Sequence, residues 1–145
     1  MKSKIFRLFL LLSLLVPGVC RAQDFVNLTP RPKVMTAGEG ELVLPRTFSI
    51  SAEGLSDEMK AEADKFAKAL NTATGIEVTV SEQAAGSLMK ASLNTDLPEE
   101  GYTLNVTDEG AELAASTPTG LYYAFQTIKK VLPANVMAGV NDPNV

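Results

Sequence analysis

Two adjacent acid pairs, Asp57-Glu58 and Asp108-Glu109, are the residues of this sequence best suited by type to chemistry. Neighbouring carboxyls can divide proton donation from nucleophilic or electrostatic work, as glycoside hydrolysis requires. Their surroundings assign them plainer duties. Asp57 and Glu58 follow Ser56 just ahead of an apolar stripe, the pattern of an N-cap with acids facing the positive end of a helix dipole. Asp108 and Glu109 fall within Thr107-Asp108-Glu109-Gly110, between two alternating runs, and read as turn residues. Neither pair has an apolar pocket in view that would retune a carboxyl group, so no catalytic or substrate-binding residue is assigned. The chain has no His and a single Cys, which removes the commonest general base and any thiolate zinc site or disulfide framework; no cofactor or metal is expected. Ser116-Thr117-Pro118-Thr119-Gly120 lacks the glycine-lysine signature of a phosphate loop and reads as a helix cap. Of Tyr122, Tyr123 and Phe125, which together suggest a sugar-stacking platform, Phe125 belongs to a core stripe and Tyr122 to its flank, leaving Tyr123 as the exposed ring. The sequons at Asn27 and Asn105 carry meaning only in a eukaryotic secretory pathway.

The elements that must position these residues follow from periodicity. Met59, Ala63, Phe66, Ala67 and Leu70 form one helical stripe, ending at Asn71 to Gly75. Leu121, Ala124, Phe125, Ile128 and Leu132 form a second, capped by Thr117 or Thr119, carrying Lys129 and Lys130 near its negative end and stopped by Pro133. Phe48–Ser51, Ile76–Val80 and Leu88–Leu93 read as strands, and Gly101–Val106 with Ala111–Ala115 as a hairpin. A further short hairpin is expected where Lys33–Thr36 and Glu41–Leu44 flank Ala37-Gly38-Glu39-Gly40, behind an extended lead-in containing Pro30 and Pro32. From 134 to 145 there is no periodicity, which reads as a linker.

At the N-terminus, Lys2, Lys4 and Arg7 precede an apolar run from Leu8 to Val16 that is too short to span a bilayer, and Pro17-Gly18 then breaks it. Small residues at Cys20 and Ala22 place a signal-peptidase cut between Ala22 and Gln23, making residues 1–22 a secretory signal. The rival reading, a lipoprotein retained through Cys20, is disfavoured by Val19 at the position before it. The expected destination is periplasmic or extracellular, with no stable membrane span. Cleavage would leave 9 basic groups against 17 acids and no cysteine. So acidic a chain, with no basic cluster beyond its first residues, excludes nucleic acid as a partner.

Taken in order, Leu28-Thr29-Pro30-Arg31-Pro32, the capped helix ending in Thr74-Gly75, Gly101-Tyr102-Thr103-Leu104, and Gly120-Leu121-Tyr122-Tyr123-Ala124-Phe125-Gln126-Thr127-Ile128 resemble the non-catalytic N-terminal domain of bacterial β-N-acetylhexosaminidases of glycoside hydrolase family 20. The resemblance covers about Asp24 to Pro133 and implies an α+β domain at 23–133: a mostly antiparallel sheet with two amphipathic helices on one face. It also implies that the chemistry lies in a following (β/α)8 barrel, whose Asp-Glu pair runs a substrate-assisted mechanism and has no counterpart here. Gly120 would let the second helix begin close to the sheet, and Gln126 would satisfy backbone groups where helix meets strand. The expected role is that of an exported accessory domain, or a truncated fragment, of an enzyme removing terminal N-acetylhexosamine, with the intrachain barrel as partner. The alternative is a free-standing periplasmic or surface module that contacts glycans through exposed aromatics.

Overall fold

The computed structural model describes residues 28–133 apart from 30, 39 and 84; the leader with its Ala22-Gln23 junction, Cys20 and the segment 134–145 lie outside the described residues. Seven elements follow in order: β1 (Thr47–Ser51), α1 (Asp57–Thr74), β2 (Glu77–Ser81), β3 (Met89–Leu93), β4 (Tyr102–Val106), β5 (Ala111–Ala115) and α2 (Pro118–Val131). The helix starts are those their caps dictate. Ser56 Oγ accepts from the Met59 amide at 3.3 Å, with Asp57 and Glu58 in the first turn. Thr117 Oγ1 accepts from the Gly120 amide at 3.1 Å, with Pro118 opening α2 where its missing N–H costs nothing. Gly75 ends α1 in the left-handed conformation, φ 73°, donating back to the Asn71 carbonyl.

All five residues of the α1 stripe are buried, as are Leu121, Ala124, Phe125 and Ile128 of α2. They meet Phe48 and Ile50 of β1, Val78 of β2, Met89 and Ala91 of β3, and Ala111, Leu113 and Ala115 of β5 in one core between the helix layer and one face of the sheet. The two helices touch through Phe66 and Phe125, whose rings stack with centroids 4.4 Å apart and planes within 12°. Gly120 allows α2 to start this close: a Cβ there would stand 2.5 Å from the Gly101 carbonyl oxygen and 3.3 Å from the Ala115 methyl.

The class is α+β, but the sheet corrects the expectation of a mostly antiparallel arrangement. Its order is β2-β1-β3-β5-β4; β1 pairs parallel with both β2 and β3, β3 pairs parallel with β5, and only β4–β5 is antiparallel. The reason is mechanical. An 18-residue helix spans about 27 Å at 1.5 Å per residue, so α1 returns the chain to the end where β1 began, and β2 must run the same way. The tight turn after Val106 forces the reversal, and the alternating hairpin appears in register, with Leu104 opposite Leu113.

The expected lead-in hairpin is absent: the described residues of 33–44 form no strand. Its alternation still has a physical basis, since Leu42 and Leu44 pack against the core while Val43 points out. Val34 is 84% exposed, so the opposite arm has no buried face to hold it in a ladder.

Candidate functional site

The two acid pairs are at separate stations, one in the first turn of α1 and the other in the β4–β5 turn, and all four side chains are exposed. The Glu109 amide donates to Thr107 Oγ1 at 3.3 Å, a local turn bond of the kind the sequence pattern implies. Among the described residues no group of three or more His, Cys, Asp or Glu is placed to hold a metal ion, and no helix is long and apolar enough to cross a membrane.

What the structure does bring together lies on the outer side of the helix layer. A groove of about 130 Å³ runs between the helices, with Glu62 and Lys65 on its α1 wall and Tyr122, Gln126 and Lys129 on its α2 wall; the stacked phenylalanines form its floor. Lys65 Nζ and Glu62 Oε1 pair across one turn at 2.7 Å. Tyr122 is not a half-hidden flank residue, contrary to expectation. It is 45% exposed and Tyr123 39%, and their ring planes diverge by 59° at a centroid separation of 5.6 Å. Spacing explains the divergence: Tyr122 is one turn before Gln126 on the groove side, whereas Tyr123 is one turn before Thr127, which faces β4. Val131 is also exposed near the end of α2.

The polar side chain that ties helix to strand is not Gln126, which makes no hydrogen bond among the described residues, but Asn71. Its Oδ1 accepts from the Val78 amide at 2.9 Å and its Nδ2 donates to the Val78 carbonyl at 3.3 Å. A second tie joins Tyr102 Oη and Thr127 Oγ1, 2.6 Å apart, fastening α2 to β4. Asn71 was readable as a helix-ending residue; the signal for its second role is its place seven residues before Val78, in a strand whose start the helix controls. The open face of the sheet bears Ser49, Lys90, Asn105 and Glu112, with a shallow hollow of about 270 Å³ at the Asn105–Glu112 end. It contains no aromatic ring.

The family model described as glycosyl hydrolase family 20, domain 2, matches residues 26–142, and the chain belongs to that family. It is 30% identical over 115 residues to a beta-hexosaminidase of Porphyromonas gingivalis, an alignment covering 77% of this chain and 14% of that protein. A lacto-N-biosidase of Bifidobacterium bifidum is 27% identical over 99 residues, 67% of this chain and 8% of the relative. Among solved structures, the N-acetyl-beta-hexosaminidase of Streptomyces plicatus superposes with a TM-score of 0.62 at 27% identity, covering 68% of this chain and 20% of that one. The Flavobacterium johnsoniae chitobiase shares the fold, with a TM-score of 0.63 at 18% identity over 74% of this chain and 18% of its own. The chain thus spans a small fraction of the enzymes it matches and corresponds to their accessory domain.

Proposed function

We propose that this is the accessory domain of an exported β-N-acetylhexosaminidase acting on terminal N-acetylhexosamine, and that it contributes no catalytic residue. The outer side of the helix layer packs against the enzyme's catalytic barrel. The observation that carries this reading is the apolar strip along the inter-helix groove, where Tyr122 stands exposed beside the stacked Phe66 and Phe125 on a helix whose other side is committed to the core. An intrachain domain interface of about 600 to 1,500 Å² needs such an apolar ridge with a polar rim, and Glu62, Lys65 and Lys129 supply the rim. The domain's task is then mechanical: it presents a rigid two-helix surface that supports the barrel. Export follows from the leader, with residues 23–133 as the functional unit and 134–145 as the passage to the barrel.

The test is an assay of the purified chain on a chromogenic N-acetylglucosaminide. Product release no faster than in buffer is expected. Turnover that survives purification and disappears on Glu58→Gln or Glu109→Gln would overturn the reading. Mass spectrometry of the exported protein should find Gln23 at its start; a diacylated Cys20 would replace secretion with lipid anchoring.

A further inference from the structure

The outer edge of β4 is an unfinished ladder. Ala111 donates to the Leu88 carbonyl and Ala115 accepts from the Asn94 amide, so the backbone groups of 111, 113 and 115 point toward β3 and those of 112 and 114 toward β4. With Asn105 opposite Glu112 and Thr103 opposite Ala114, the N–H and C=O groups of Tyr102, Leu104 and Val106 point away from the sheet. None of them has a partner among the described residues. The strand reads Tyr-Thr-Leu-Asn-Val, without charge or proline, the devices that ordinarily blunt an edge. Val106 is 47% exposed beside it, and Tyr123 rises from α2 on the same side. An added strand would therefore find hydrogen bonds along its backbone and an apolar wall for alternate side chains.

Charge selects what that strand is. Glu99 and Glu100 precede β4 and Asp108 and Glu109 follow it; all four are exposed, and none forms an ion pair among the described residues. A second copy paired antiparallel about Leu104 would set Asp108 beside Glu100 of its twin at both ends, an acid-on-acid contact. Residues 134–145 contain no Lys or Arg to answer these acids. We infer that the β4 edge receives an extended polypeptide strand of a separate partner, apolar at alternate positions and basic at both ends, by strand addition. Main-chain bonds supply the affinity and the bracketing acids the selectivity.

The probe is a capped peptide, Lys-Val-Thr-Val-Thr-Val-Lys, compared with its twin bearing Glu at both ends, titrated into the isotopically labelled full chain at low salt. The expected result is at least tenfold tighter binding of the basic peptide, with slowed amide exchange at Tyr102, Leu104 and Val106 and no change at Thr103 and Asn105, which already bond to β5. The double substitution Glu100→Gln with Asp108→Asn should shrink the preference while leaving the spectrum of the core unchanged. Equal binding of the two peptides, or protection elsewhere, overturns the proposal. So does slow exchange of the three amides in the free chain: if independent of concentration it assigns the edge to a segment of this chain outside the described residues, and if concentration-dependent to a second copy.

Discussion

The sheet has two outer edges, and they are managed in opposite ways. At β2, the outward backbone groups of Val78, the second residue of the strand, are taken by the side-chain amide of Asn71, which stands in for one rung of a neighbouring strand, while those of Val80 have no partner among the described residues. Just past the strand, Glu82 pairs with Lys60 of α1 at 2.8 Å. At β4, a helix is also fastened to the strand, but through the Tyr102 hydroxyl and Thr127, which leaves the ladder itself untouched. One helix fills a rung of its edge; the other only steadies its strand. The difference shows that tying down a strand and occupying its outward hydrogen bonds are separate operations, and that a single amide side chain at a helix end can do the first while filling one rung of the second.

The comparison depends on the two helices forming one layer, so the largest effect should come from the ring stack that joins them. Phe125→Ala, or Phe66→Ala, removes a buried ring from a stacked pair and is expected to cost about 3 to 5 kcal/mol, read by denaturant unfolding. Amide exchange should then rise at both edges together. A loss confined to one edge would mean the halves of the domain are independent.

Asn71→Ala should make the β2 edge resemble the β4 edge. The Val78 amide and carbonyl lose both partners and face water, at a cost of about 1 to 2 kcal/mol, and exchange at Val78 should accelerate toward the rate at Leu104. Asn71→Asp keeps the acceptor and removes the donor, so exchange at Val78 should stay slow while stability falls by less. Tyr102→Phe is the counterpart at the other edge: loss of the 2.6 Å bond to Thr127 should cost about 0.5 to 1.5 kcal/mol and leave the exchange of Leu104 unaltered.

The smallest effect belongs to Lys60. Its hydrogen bond to Glu82 is the main cause holding its ammonium group above the ordinary lysine pKa. A raised folded-state pKa stabilises fully below the unfolded value, about 10.4, and the contribution is lost as pH climbs through the folded value. Lys60 is half-buried and Glu82 exposed, so the pair is open to solvent and Glu82→Gln should leave the melting temperature near that of the parent at neutral pH. Any gap should hold steady up to about pH 10 and close above it.

Local features of this fold were open to reading from sequence and relational ones were not. The α1 stripe was readable residue by residue, because helix period and burial obey the same geometry from Met59 to Leu70. The β4–β5 hairpin was equally visible, its turn chemistry lying between its arms. Strand direction was hidden. The central pairing of β1 with β3 rests on Ile50 against Met89 and Ser51 against Lys90, residues joined through a helix, a strand and a crossover that carry no local mark of where they lead. Lys33–Thr36 and Glu41–Leu44 show the converse: glycines and alternation sit at hairpin spacing, but without a buried face for both arms no ladder forms. Asn71 and Tyr122 were assigned to an ending and to a flank because their partners come from elements whose placement no single stretch of chain records.

The position of Asn71 also sets an order of events in time. It precedes Val78 by seven residues, so one rung of the β2 edge is filled by a contact within a single helix–strand unit, available as soon as that unit is made. The inner side of β1 must wait for β3, and β3 in turn for β5, each across a longer stretch of chain. A polypeptide emerging N-terminus first therefore protects its outermost strand early and holds its middle open, so the interval of greatest exposure to wrong partners falls between the synthesis of β2 and that of β5.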